Sequence, residues 1–422
     1  MAETVEPKWS LGWLEGFKSR NGIRKRRQHG EAASADMEGA EDRMVELRAI
    51  VMPYPLKDVY NMDETGLFWK AIPDTTLATV ALSGTKKQKA RISLGNCSNA
   101  DGSDKLPLLI IGSLLKPHCF ARNRINIASI NIMWKHNKKA WMTTVIMLEW
   151  LTWFDKRMHG RKILLLIDGF SAHKAAVRTL VENGSLKNTR VEFLPPNCTS
   201  VYQPLDQGII ANFKLLYRRY WLRFMVELSL RDEDPIKQMH VLWAIRWSVE
   251  AWKEVTPQTI ENCFIKSTLF GPRIGPRPRP QDYLDPPVVN EMQQMAEQLL
   301  AAGRLHAVVN IRDFIELPGE EVEDSSEDLI EHVAELYAGP DRDAETDEEA
   351  IEQPQIKLNE ALVALQKLRL YEEQQSDSDR DVITTLSRHE RRIQGRRPQN
   401  TKQQSIAMYF SIADRSVTTS RA

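Results

Sequence analysis

Three carboxylates stand where a sheet-building chain can gather them. Asp168 ends KILLLID (residues 162–168), a run of branched apolar residues with the pattern of a strand buried on both faces. Asp63 lies in YNMDETGL, which reads as a strand end, and Asp206 lies in VYQPLDQGII, near the first turn of a long helix. The stretch between Asp168 and Asp206 has room for a helix, a strand and a return. In an α/β sheet, ligands gather at strand ends and helix starts. Acids brought together there repel unless cations join them. Mg²⁺ takes a few carboxylates together with water and substrate phosphate. Two such ions about 3.5–4 Å apart hold the attacking and leaving oxygens of an in-line displacement at phosphorus. Each acid also has a plainer reading: Asp168 with Gly169 as a turn, Asp63 as an Asx turn with Thr65 or Gly66, Asp206 as an acid at a helix N-terminus.

The elements that must position these acids read in order along the chain. Residues 31–50 suggest a short helix ending in MVELRAIV, and DVYNMDETGLFW a strand. ARISLGNCSNADGSDKLPLLIIGSLL reads as two strands around the Asp101-Gly102 turn, a hairpin. TTVIMLEWLTWFDKRM predicts an amphipathic helix with a Thr cap and Gly160 past its end. KILLLID, HKAAVRTLVENG and RVEFLPP then give strand, helix and strand, and a long helix runs from Pro204, with proline in its first turn. Residues 236–270 read as helical and Trp-rich, GPRIGPRPRPQDYLDPP as a Pro/Arg linker. The order implies a mixed α/β sheet with an antiparallel hairpin on one side and helices on its faces.

Composition narrows the class. No apolar run approaches the roughly 20 residues that span a bilayer, so no membrane partner is expected. Cys97, Cys119, Cys198 and Cys263 are far apart, without a CxxC pair, which suits a reducing compartment and argues against a disulfide framework or a Cys-rich zinc site. Lys plus Arg and Asp plus Glu both number 57. They are unevenly placed: residues 1–285 hold 42 basic against 30 acidic residues. The basic part suits a polyanion such as DNA; the acidic remainder reads as solvated tail. Arg24, Lys25, Arg26 and Arg27 form a basic cluster, either a solvated face, a phosphate contact or a nuclear-import patch; Lys86 and Lys87 in GTKK are a solvated loop or a second phosphate contact.

The segments DVYNMDETGLFWKAIPDTTLA, GTKKQKARISL, NADGSDKLPLLIIG, NKKAWM, KILLLIDGFSAH, VEFLPPNCTSVYQPLDQGIIANFK and ENCFIKSTL occur in this order. With them the chain resembles the catalytic domain of pogo/Tigger-type transposases of the mariner superfamily, relatives of centromere protein B and jerky. The resemblance implies a ribonuclease-H-like mixed sheet flanked by helices; the residue pattern adds a helical extension and, from acidity with little apolar periodicity, a largely disordered acidic C-terminal tail. The resemblance also implies a catalytic and metal-holding triad at Asp63, Asp168 and Asp206, two Mg²⁺ or Mn²⁺ ions, DNA as substrate, and the nucleus. His173 matches the family's histidine after the second acid. Glu64, Gln203 and Gln207 match motif positions that are not ligands, and Gly169 stands where the family usually has Asn. WSLGWLEGFKSRNGIRKRR resembles only the last helix of the second helix-turn-helix module, so sequence-specific DNA reading is in doubt.

The expected organisation is therefore a helix-turn-helix remnant at 1–30, a connecting helix at 31–56, the endonuclease domain at 57–230, a helical extension at 231–270, the linker at 271–290 and the acidic tail at 291–422. In the tail, Leu358, Leu362, Leu365 and Leu368 form a leucine stripe, a docked helix or a pairing seam that would make a homodimer. KQQSIAMYF carries Gln403, Ile406, Tyr409 and Phe410. This spacing puts three apolar side chains on one face of a helical turn and resembles the peptide that docks on the sliding clamp, proliferating cell nuclear antigen. Two readings remain: an endonuclease, or a non-enzymatic nucleic-acid-binding or clamp-associated protein.

Overall fold

The computed structural model describes residues 37–73, 90–122, 125–196, 198–271, 284–305, 309–320, 358–375 and 379–395. Arg24–Arg27, Lys86, Lys87, Gln403, Ile406, Tyr409 and Phe410 lie outside them, as does most of the Pro/Arg linker. The described chain divides into two compact units, residues 1–351 and 352–422.

The first unit is built on a six-stranded mixed sheet. Its strands are β1 (Val59–Phe68), β2 (Arg91–Asn99), β3 (Leu109–Gly112), β4 (Met133–His136), β5 (Ile163–Ile167) and β6 (Thr189–Phe193), ordered β4-β3-β2-β1-β5-β6. β1, β2 and β3 form an antiparallel meander, and β5 and β6 run parallel to β1. This order and these directions agree with the ribonuclease-H-like mixed sheet that the resemblance implies. The hairpin turns at Gly102, whose φ of 69° is open to glycine, and a Cβ there would meet the Pro257 backbone at 2.5 Å. β5 is buried along its whole length, so its side chains pack on both faces of the sheet.

Helices cover both faces. Alternation along β1 sends Tyr60 and Met62 to one face and Val59 and Leu67 to the other. The first face packs on α2 (Thr144–Arg157) and α3 (Ser171–Glu182). Thr143 caps α2, its side chain accepting from the Ile146 amide (3.3 Å). The second face packs on α1 (Met37–Val51), the long α4 (Ile209–Leu230), α5 (Val241–Glu254) and α6 (Pro257–Lys266). All four cysteines are buried and none forms a disulfide. No helix among the described residues is long and apolar enough to cross a membrane.

Two elements differ from the expectation. The long helix begins at Ile209, not Pro204. Gly208, at φ 140°, interrupts the path, and Leu205–Gln207 forms a separate 3-10 turn. The charge count also hides ordered structure. Residues 284–320, assigned above to linker and tail, include α7 (Pro286–Ala301), which packs against α4, and a helical turn at Ile311–Ile315. Met292, Leu299, Phe314 and Ile315 enter the second-face core. At Glu320 the segment reaches β1 beyond the end of β5. The Gly66 amide donates to the Glu320 carbonyl (3.1 Å) and the Phe68 amide to its carboxylate (2.7 Å). Both amides belong to the edge of β1 that β5 leaves unpaired. The Glu320 carboxylate also accepts from Lys214 Nζ (2.7 Å) and Arg218 Nη2 (2.6 Å) on α4.

The second unit is a helical hairpin, α8 (Leu358–Gln374) and α9 (Arg380–Gln394). Arg369 of α8 donates to Glu390 of α9 (2.6 Å). Within the leucine stripe Leu362 is buried and Leu368 is exposed. α9 is an ordered helix within the stretch expected as acidic tail, and Asp379 starts it by accepting from the Asp381 amide (2.8 Å).

Candidate active site

β1 and β5 set the geometry. They pair in parallel with Asn61 beside Leu166, and the same register continued two residues brings Asp63 level with Asp168. By alternation along β1, Asp63 belongs to the face that packs on α4, and Asp168 stands one residue past the end of β5. Asp206 reaches that face on the 3-10 turn. Asn61, fully buried, holds the three carriers together: its Nδ2 donates to the Leu166 carbonyl (2.9 Å) and its Oδ1 accepts from the Leu205 amide (3.0 Å). Lys266 of α6 donates to the Gln207 carbonyl (2.8 Å) and closes the turn from the other side. Neither Asn61 nor Lys266 was singled out in the sequence. The available signal for Asn61 was an amide two residues before Asp63, on the same face of the strand.

The three acids meet as charges. Burial, then the charges of Asp206, Asp168 and Glu64, push the Asp63 carboxyl well above the usual carboxylate range, and the neighbouring Gln203 amide opposes them. Asp168 behaves differently. Burial disfavours its ionisation, but the hydrogen bond and charge of His173, the Phe170 amide and Lys174 outweigh burial and hold it below the ordinary range. His173 is fully buried in the first turn of α3 and lies between two carboxylates: Nδ1 is 2.6 Å from Asp168 Oδ1, and Nε2 is 3.1 Å from Glu64 Oε1. Burial opposes an imidazolium, yet the flanking Glu64 and Asp168 keep the ring's pKa well above its ordinary value. Glu64, next to Asp63 on β1, points to the opposite face of the sheet, where α3 packs.

Among the described residues, no three His, Cys, Asp or Glu side chains stand close enough together to form a ligand cluster. The donor chemistry nevertheless fits a hard divalent cation. The donors are carboxylate oxygens, and their excess negative charge converges on Asp63. Two buried amides add to the fit. Asn96 stands opposite Asp63 on β2, and Gln203 lies beside Asp63; neither side chain makes a hydrogen bond of ordinary length.

Comparison with known proteins places this geometry in a family. The model of the DDE superfamily endonuclease matches residues 89–264, a span that contains Asp168 and Asp206 and that Asp63 precedes. CENP-B homolog protein 2 of Schizosaccharomyces pombe is 36% identical over 401 residues, covering 94% of this chain and 76% of that protein. ARS-binding protein 1 of the same yeast is 34% identical, covering 92% and 74%. Tigger transposable element-derived protein 4 of Mus musculus is 31% identical, covering 63% and 50%. The chain belongs to the transposase-derived DDE endonuclease family that holds the CENP-B homologues and the Tigger-derived proteins.

Proposed function

We propose that the first unit is a divalent-metal-dependent DNA endonuclease and strand-transfer domain acting in the nucleus. Asp63, Asp168 and Asp206 would hold two Mg²⁺ or Mn²⁺ ions. When bound, these supply Lewis-acid neutralisation of charge during in-line displacement at phosphorus. The chain's own part is positioning. β1 fixes Asp63, His173 fixes Asp168, and Asn61 with Lys266 fixes the turn carrying Asp206. In the first step water attacks phosphorus and one P–O bond breaks, leaving a 3′-hydroxyl. That hydroxyl then attacks a target phosphodiester, forming one P–O bond as another breaks. The observation that carries this reading is the buried Asn61 side chain, which ties β1 to Leu166 of β5 and to Leu205 on the turn and so brings the carriers of Asp63, Asp168 and Asp206 to one end of the sheet.

The test is nicking of plasmid DNA by the full chain with Mn²⁺, Mg²⁺ or chelator. Asp168→Asn is expected to remove cleavage while DNA retention persists; full nicking by that variant would falsify the assignment. A second reading, DNA binding without cleavage, draws support from the name of the relative ARS-binding protein 1. It predicts that the wild-type chain retains DNA and cleaves none. Gln403, Ile406, Tyr409 and Phe410 are proposed to dock on the sliding clamp, and clamp pull-down should be lost in the Tyr409→Ala, Phe410→Ala double variant.

A further inference from the structure

We propose that Glu64 and His173 are positioning residues: Glu64 fixes the His173 ring, and the ring in turn orients the Asp168 carboxylate for divalent-cation binding. This deepens the endonuclease reading and rests on it. The link runs from one face of the sheet to the other. Glu64 follows Asp63 on β1, so a single strand places one acid in the site and also braces a second acid carried by β5. The Glu64 and His173 side chains are almost wholly buried (5% and 1% exposed), whereas Asp168 keeps 25% of its side chain open. Both hydrogen bonds to Asp168, from His173 Nδ1 and from the Phe170 amide (3.2 Å), land on Oδ1. Oδ2 is thereby the oxygen offered to a cation. The Phe170 ring packs edge-on to the imidazole, with centroids 5.2 Å apart, and limits its rotation. Glu64 Oε1 holds the remaining ring nitrogen, so the ring is fixed at both ends. Partners that hold a metal ligand in this way typically account for 10–100-fold in metal affinity.

A double-mutant cycle on Mn²⁺ affinity tests the link. Free Mn²⁺ is read by electron paramagnetic resonance with the full chain, and the variants are Glu64→Asp, His173→Gln and both together. Glu64→Asp keeps the charge but shortens the reach to Nε2 by one methylene. It is expected to weaken Mn²⁺ binding about tenfold. The double variant should bind no more weakly than His173→Gln alone, because the link is already broken. Wild-type affinity in Glu64→Asp, or additive losses in the double variant, would mean that Glu64 acts by charge alone and would overturn the proposal. If the variants fail to fold, a crystal structure of the wild-type chain with Mn²⁺ decides: the link requires the ion on Asp168 Oδ2 with Oδ1 still on His173 and the ring still on Glu64, and an ion held through Oδ1 or a ring turned away from Glu64 overturns it. A wild-type chain without saturable Mn²⁺ binding removes the endonuclease reading and this proposal together; a binding wild type with unaffected variants removes this proposal alone.

Discussion

β1 carries two buried carboxylate sites, one at Asp63 and one where Glu320 meets Gly66 and Phe68, and their surroundings have opposite charge. Around Asp63 stand Asp206, Asp168 and Glu64, and its carboxyl is held well above the usual range. Burial also disfavours ionised Glu320, but Lys214 and Arg218 outweigh it and hold that carboxyl below the usual range. Depth is similar, with Asp63 8% and Glu320 3% exposed. Burial alone therefore does not tell a working acid from a structural one. The sign of the neighbouring charge does: a crowded acid is costly to the fold and kept for chemistry, while a paired acid supports the fold.

The largest effect that would sharpen this contrast is Glu320→Ala. It strands Lys214 and Arg218, 5% and 0% exposed, without their shared anion. The expected loss in chemical denaturation is roughly 3–5 kcal/mol. Gly66→Ala comes next. Its Cβ would sit 2.3 Å from the Glu320 carbonyl oxygen, so the segment must shift. A loss of about 1–3 kcal/mol is expected from the same measurement. Asp63→Asn reverses the sign: nicking disappears, while stability rises by roughly 0.5–2 kcal/mol as one member of the acid cluster loses its charge. If Asp63→Asn instead lowers the melting temperature, the contrast between the two sites breaks.

The smallest effect is a pH dependence. Glu320 has a lowered folded pKa, so its contribution is present above its ordinary value of about 4.5 and fades as pH falls through and below it. The melting-temperature gap between wild type and Glu320→Gln should therefore stay wide from pH 7 down to about 4.5 and narrow progressively below it. A constant gap would mean that the Glu320 pairing is not what stabilises this end of β1.

The sequence was most legible where the physics is local. KILLLID contains its own burial pattern, the Asp101-Gly102 turn its hairpin, and Thr143 its cap. Asp168 followed from a strand end, but Asp63, expected at one too, stands in the middle of β1, beyond the point where its pairing with β5 stops. What was not legible depended on partners far along the chain. Asn61 gains its role from Leu166 and Leu205, more than 100 residues away. Glu320 sits in a stretch whose composition reads as solvated tail, and only Lys214, Arg218 and the unpaired edge of β1 make it a core residue. The break at Gly208 was hidden by Pro204, a good opening residue for the helix that in fact starts later.

The Glu320 contact also sets a schedule. The amide of Phe68 and the carboxylate that accepts from it are 252 positions apart, and Lys214 and Arg218 leave the ribosome roughly midway between them. At synthesis rates of about 5–20 residues per second, the two cations wait about 5–20 s for their anion and the bare strand edge about 13–50 s.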